Sequence, residues 1–324
     1  RLLLALLMLL TSAGFLKADV TFTVPKGETA TVAVKIGQGN TIRVSVDGTV
    51  TKDLTGTTSY TIEKSDKNDQ SVSLLGNGLL ELTITGKAST LAIDDESLQV
   101  LTASNVGLGT LTTSKLTDLK SLDLSNNKLT SIDVHTATKL ETLNVADNKL
   151  KSLGSQLPES LTTLDISKNG YEGNDYKVNY LYLKNLTSLT LGGNRLIAAE
   201  VPTNCKVNYG IQEFTEKNTY RVKANANLNI GTMANAYGLA EALEITSATQ
   251  SEWKKKVNSE YQTTTEAQKI EEGNDVIYRF FDANKIYTNG EYECVLNTKS
   301  GFAFRVRLIV VSAEFTMKWD AVPN

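Results

Sequence analysis

One histidine and two cysteines in 324 residues leave this chain little of the usual equipment for catalysis or metal binding. Any histidine general base would have to be His135. It sits in an HTATK stretch between two repeated segments, where a solvated loop residue is expected. Two cysteines and one histidine make a structural zinc site an unpromising reading. Cys205 and Cys294 could pair in an oxidising compartment, but they stand in segments of different character, and two buried thiols are the expected state. The sequence has no GxGxxG, GxxxxGKS/T, HExxH or GxSxG motif, and nothing singles out a pair of carboxylates. Neither an enzyme nor a cofactor is therefore expected. The acidic run Asp94, Asp95 and Glu96 lacks the spacing of a calcium loop and reads as a solvated turn, so no metal is expected either. A net charge of −3 makes no electrostatic case for nucleic acid or an anionic membrane.

Long apolar runs are also scarce. One opens the chain, RLLLALLMLLTSAGFLKA over residues 1–18. It is short, follows an arginine and ends in small residues, which reads as a secretory signal peptide cut after Ala13 or Ala18. No second such run exists, so no membrane-spanning segment is expected after its removal. The chain reads as exported.

What the sequence does have is a repeat. Leu119–Leu129 (LKSLDLSNNKL), Leu140–Leu150 (LETLNVADNKL), Leu161–Tyr171 (LTTLDISKNGY) and Leu186–Leu196 (LTSLTLGGNRL) share the pattern L-x-x-L-x-L/V/I-x-x-N-x-L, with Tyr171 in the last slot of the third copy. The asparagines Asn127, Asn148, Asn169 and Asn194 follow one another at 21, 21 and 25 residues. A fixed period of this length marks a solenoid whose units stack on their neighbours. Leu122 and Leu124, two apart, face one core if the segment is a strand. The sharp turn that follows points backbone N–H and C=O groups inward, and an asparagine amide can satisfy both kinds, so stacked turns form an asparagine ladder. About twenty residues per unit leave little room for a return helix, so the return is read as extended or 3₁₀. A degraded copy, Leu98–Leu108 (LQVLTASNVGL), has Val106 where asparagine belongs, as suits a terminal repeat.

These residues resemble the leucine-rich repeat family over residues 98–212. Around them, residues 19–97 hold short alternating runs, VTFTV, TATVAVKI, TIRVSV, TSYTIE, SVSLLG and LELTITG, separated by turn signals. They read as an N-terminal β cap domain, whose last strands, near LELTITG and LAIDD, run into the repeat sheet. In residues 213–324 VIYRFF, EYECVL and FAFRVRLIVVSAEF read as strands. Trp253 upstream and Tyr292 two before Cys294 resemble an immunoglobulin-like β-sandwich. No second cysteine falls where its partner strand is expected, around 240–247. The fold class is thus mainly β: a short parallel-sheet solenoid of four or five strands flanked by two β domains. The order of signal, β cap, repeats and immunoglobulin-like module resembles bacterial leucine-rich repeat surface proteins. Internalin-like adhesins and some surface proteins of Gram-negative gut bacteria share it. The resemblance implies a secreted or cell-surface protein of a Gram-negative bacterium that binds a protein or glycan without catalysis.

Two sets of residues are candidates for that binding. The first is the concave strand face: Asp123 and Ser125, Asn144, Asp165 and Ser167, and Thr190, a small polar array without aromatic or Arg. The second is the long repeat, whose insert carries Tyr171, Tyr176, Tyr180 and Tyr182, since inserts often map to the binding face. A structural surface spacer is the alternative reading, and an accessory glycan-binding module of a surface polysaccharide system another. Oligomeric state is not legible in the sequence.

Overall fold

A computed structural model describes residues 18–153, 157–171, 177–213, 220–223, 226, 228–229, 245–248, 253–272, 275–281, 288–298 and 302–311. Tyr176 and the first seventeen residues, nearly all of the proposed signal, lie outside the described residues. The chain divides into two compact units. The first comprises Arg1–Leu191 with Ala199–Asn208, the second Gly192–Ala198 with Tyr209–Asn324.

The first unit opens with eight strands: β1 (Ala18–Val24), β2 (Ala30–Ile36), β3 (Ile42–Val46), β4 (Thr49–Leu54), β5 (Thr57–Ile62), β6 (Gln70–Leu75), β7 (Leu79–Gly86) and β8 (Thr90–Asp94). Alternation makes them. In β2, Ala30, Val32, Val34 and Ile36 are buried, while Ala33 and Lys35 between them are exposed. β4 was not legible in this way, because five of its six residues are exposed and no apolar period marks it.

The solenoid adds β9 (Val100–Thr102), β10 (Thr110–Ser114), β11 (Ser121–Asp123), β12 (Thr142–Asn144), β13 (Thr163–Asp165), β14 (Lys177–Asn179), β15 (Ser188–Thr190), β16 (Ala198–Glu200) and β17 (Lys206–Asn208). Nine strands form one sheet in the order β17-β15-β13-β12-β11-β9-β7-β2-β5. From β7 to β17 it is parallel, and its registers stack Leu82, Leu101, Leu122, Leu143, Leu164, Leu189 and Val207 in one line. The six leucines of that line are at most 1% exposed. Burying each contributes about 1.5–3 kcal/mol. Six coil strands, β9, β11, β12, β13, β15 and β17, replace the four or five expected. The added coil came from KVN at Lys206–Asn208, which carries no leucine to announce it.

A second sheet has the order β10-β8-β1-β6-β3-β4. Here one expectation needs correcting. LELTITG does run into the repeat sheet as β7, but LAIDD forms β8, which pairs with β1 and with β10 in the second sheet. The return segments are extended, as β10 and the β14–β16 pair show, and no described residue is helical.

The second unit holds β18 (Ile211–Glu213), β19 (Tyr220–Lys223), β20 (Leu228–Asn229), β21 (Ile245–Ala248), β22 (Lys254–Val257), β23 (Glu260–Thr263), β24 (Ala267–Glu272), β25 (Asp275–Phe280), β26 (Gly290–Thr298) and β27 (Ala303–Val311). One sheet runs β18-β27-β26-β22-β23, with β19 also on β27 and β21 also on β26; the other runs β20-β25-β24. Trp253, Tyr278, Phe280 and Tyr292 form its aromatic core, with ring centroids 4.6–5.3 Å apart along the chain of contacts. Residues 245–248 form β21, which pairs with the Cys294 strand in the same sheet.

Candidate binding face

The middle coils are closed by asparagines. The Asn148 amide donates to the carbonyls of Leu124 (2.9 Å), Val145 (3.1 Å) and Ala146 (3.3 Å), and its Oδ1 accepts from Leu129 N (2.9 Å). Asn169 repeats this one coil on, with Val145, Ile166, Ser167 and Leu150. Asn127 stands against the degraded first coil and does more there. Its Oδ1 accepts from Val106 N, Gly107 N and Leu108 N at 3.2, 3.0 and 2.9 Å, which serves the turn where Val106 brings no amide of its own. In the second unit Asn194 is fully buried. There Gln212 takes the same part: its Oε1 accepts from Leu196 N at 3.0 Å and its Nε2 donates to Tyr209 O at 2.7 Å. Sequence reading missed Gln212 because the amide is a glutamine 18 residues after Asn194 and the leucine pattern has ended.

The residue before each rung sits in the left-handed region: Asn105 (φ 57°), Asn126 (56°), Asp147 (55°), Lys168 (54°) and Gly193 (74°). Asn, Asp and Gly tolerate that conformation best, which accounts for four of the five. In the fourth copy Gly192 has a packing reason as well, its close approach to Gly210. A Cβ on Gly210 would lie 2.6 Å from the Cα of Gly192, so both positions need glycine.

The strands between these turns present the candidate side chains outward. The registers place Ser121, Thr142, Thr163 and Ser188 in one row and Asp123, Asn144, Asp165 and Thr190 in the next. The second row continues through Thr102 and Thr83 on one side and Asn208 on the other. At about 4.8 Å per strand, Thr102 to Asn208 spans about 24 Å. Three of these residues are tied to their own turns. Asp123, Asn144 and Asp165 each accept with Oδ1 from the backbone N–H two residues on, at Ser125, Ala146 and Ser167 (2.9, 3.1 and 2.9 Å), and Ser167 Oγ also donates to Asp165. That holds the carboxylates and amide in fixed poses, half-buried, with hydroxyl neighbours.

The tyrosines behave differently. Tyr171 and Tyr180 are 6% and 5% exposed, and the Tyr180 hydroxyl donates to the Tyr171 hydroxyl at 3.4 Å. Burial, with Tyr171 alongside, pushes the Tyr180 phenol well above its ordinary range. Tyr182 is half-buried, and its hydroxyl accepts from Leu157 N at 3.2 Å. Tyr171 and Tyr180 thus fill the apolar slots of the long coil rather than offering contact area to a partner.

The remaining chemistry is local. His135 is exposed and its Nδ1 lies 2.7 Å from Asp133 Oδ1; that hydrogen bond holds the Asp133 carboxyl below the usual range. Neither cysteine forms a disulfide. Cys294 is buried as expected, but Cys205 is half-exposed, since it falls on a turn before β17 rather than in a strand. Among the described residues no cluster of three His, Cys, Asp or Glu is placed to hold a metal ion, and no helix is long and apolar enough to cross a membrane.

Comparison with known families matches residues 118–137 to the family described as Leucine Rich Repeat. Among solved structures, the functional domain of InlJ from Listeria monocytogenes, described as including a cysteine ladder, is similar at 11% identity and a TM-score of 0.23, over 68% of this chain. This chain spans 62% of that one. The expected Gram-negative source gains no support from these comparisons. No curated protein matches.

Proposed function

We propose that this chain, whose leucine-rich repeats coil into a β-solenoid, is a non-catalytic recognition protein, exported or held at a cell surface. Its partner is a protein or a glycan, bound on the outward strand face. The observation that carries the reading is the pair of polar rows. Aligned strands set hydroxyls, amides and carboxylates at a fixed repeat, and the Asx-type turns at Asp123, Asn144 and Asp165 freeze them before any partner arrives. Preorganised polar groups lose less conformational entropy on binding.

The N-terminal strands serve this face. Residues 19–97 cap the first coil by adding β7, β2 and β5 to its sheet. We read residues 213–324 as an immunoglobulin-like module; in favour are, among the described residues, the parallel pairing of β18 and β19 with β27 and the separate sheet β20-β25-β24. The segment before β1 is a signal peptide; β1 begins at Ala18, so cleavage near there leaves the strand essentially whole.

The test is a glycan and protein array probed with the mature chain, followed by Asp123→Lys with Asp165→Lys. Binding that falls at least tenfold while the melting temperature holds supports the face. Undiminished binding refutes it. The spacer reading has one observation in its favour, the same local hydrogen bonds, which would serve a purely structural sheet equally well. It predicts that neither the array nor adhesion responds to the double change.

A further inference from the structure

The nine-stranded sheet ends on β5, and among the described residues no strand pairs with its far side. The register fixes which backbone groups point there. Ile36 N donates to Gly56 O at 2.9 Å, so Ile36 and Gly56 form a hydrogen-bonded pair. Such pairs alternate along an antiparallel ladder, which makes Thr58, Tyr60 and Ile62 the residues bonded to β2. The N–H and C=O groups of Thr57, Ser59 and Thr61 therefore point outward, and no described group bonds them. All three residues are exposed.

An open edge usually carries a device against pairing: a charge, a proline, a bulge or a short length. β4, the last strand of the second sheet, has Lys52 and Asp53 and lies on a bulged ladder. β17, at the other end of the nine-stranded sheet, is three residues long. β5 has none of these. It is six residues, TTSYTI, without charge or proline, in unbroken register with β2. Its pattern also suits its own copy. Antiparallel pairing about a two-fold axis at Ser59 sets Thr57 opposite Thr61 of the second copy and Ser59 opposite itself. Those are the residues with outward groups, so about six backbone hydrogen bonds form. Between them, the close non-hydrogen-bonded positions bring Thr58 against Tyr60 of the second copy, a favourable β-branched and aromatic pair.

We propose that β5 is a self-association edge, on which a second copy of this chain pairs antiparallel and joins the two sheets. The consequence bears on the outward strand face. Ser59 lies opposite Ala33, Ala33 opposite Thr83 and Thr83 opposite Thr102, so Ser59 extends the row of Asp123, Asn144 and Asp165. Pairing Ser59 with its copy sets two such rows end to end, which adds avidity toward a ligand that repeats on a surface. That gain rests on the recognition reading above. The pairing itself needs no ligand, so the two can fail separately. One six-residue edge is a small interface, so the dimer is weak, with a Kd on the order of 100 μM.

The experiment is sedimentation equilibrium of the mature chain without ligand, from about 5 μM to about 500 μM, a range that brackets the expected Kd. The mass should rise from monomer toward dimer. Ser59→Pro removes an outward N–H, a change that an edge strand tolerates, and abolishes the rise while circular dichroism shows the strands retained. Ser59→Lys sets like charges opposite one another across the axis and weakens association at least tenfold. Val50→Lys, on the exposed β4 edge, leaves association unchanged. Oxidation in a Cys205→Ser background reads the register. Ser59→Cys cross-links to itself, because a hydrogen-bonded pair brings the Cα atoms to about 5.5 Å, within disulfide reach. Thr57→Cys and Thr61→Cys cross-link only when the two variants are mixed. A mass that stays monomeric throughout, association that survives Ser59→Lys, association lost in Val50→Lys, or cross-linking of Thr61→Cys to itself would each overturn the proposal.

Discussion

Replacing Asn148 by leucine tests the ladder most directly. The side chain is 8% exposed and makes four hydrogen bonds to backbone groups. Their loss is unequal. Leu124 O keeps the Asn127 amide (2.9 Å), Val145 O keeps the Asn169 amide (2.8 Å), and Ala146 O keeps Asn126 N (2.8 Å). Leu129 N loses its acceptor and is left buried. One orphaned donor costs about 1–3 kcal/mol, and three carbonyls that each drop from several partners to fewer add a smaller amount, so the total is about 2–4 kcal/mol. In a unit of this size 1 kcal/mol moves the melting temperature by about 2–4 °C, which gives a fall of roughly 9 °C. Lys149→Ala, next door and exposed, should stay within about 0.5 kcal/mol of the parent. Calorimetry and urea unfolding followed by far-ultraviolet circular dichroism read both. Equal melting temperatures for the two variants would sink the argument that the asparagines satisfy buried turns. A smaller fall, of about 2 °C, would show that water reaches Leu129 N.

Asn127→Leu removes the acceptor of three backbone N–H groups and should cost at least as much as Asn148→Leu by the same urea assay, despite the greater exposure of Asn127. Gly210→Val should destabilise the second unit by more than about 2 kcal/mol, because its Cβ would lie 2.6 Å from Gly192 Cα at a φ of 53°; unfolding followed by Trp253 fluorescence measures it. Burial, with the Glu291 hydrogen bond, pushes Tyr261 up to about 12. A phenol held neutral above its unfolded value of about 10 contributes stability below that pH and loses it as pH rises through about 12. Ultraviolet titration should therefore show one phenol fewer titrating near pH 12 in Tyr261→Phe than in the parent, with the raised Tyr180 phenol unchanged in both. Burial raises Glu266, but hydrogen bonds from Tyr292 and Lys255 outweigh it and hold the carboxyl below its ordinary range, so Tyr292→Phe should raise the Glu266 midpoint by carbon-13 titration. Native thiol labelling should modify half-exposed Cys205 and leave Cys294 untouched until unfolding; equal rates would contradict the burial of Cys294.

The sequence by itself determined the solenoid. Leucines at two and three residue intervals, repeated every twenty-odd positions, can share a core only as stacked parallel strands, and the asparagine after each pair has one sensible use. The alternating runs before and after the repeats likewise announced most of their strands. Only the tertiary structure decided where those strands go. LAIDD carries the same alternation as LELTITG, and nothing local says that one joins the repeat sheet while the other joins the opposite one; the choice depends on which edge is open once β1 is in place. The long coil is similar. Tyr171 and Tyr180 have the composition of a binding loop, and packing, not sequence, turned them inward to fill the space a leucine would have left. The coil closed by Gln212 and the buried, half-satisfied Asp95 were beyond the sequence for the same reason. A side chain's partners come from residues tens of positions away, and its chemistry is set by what those partners leave unsatisfied.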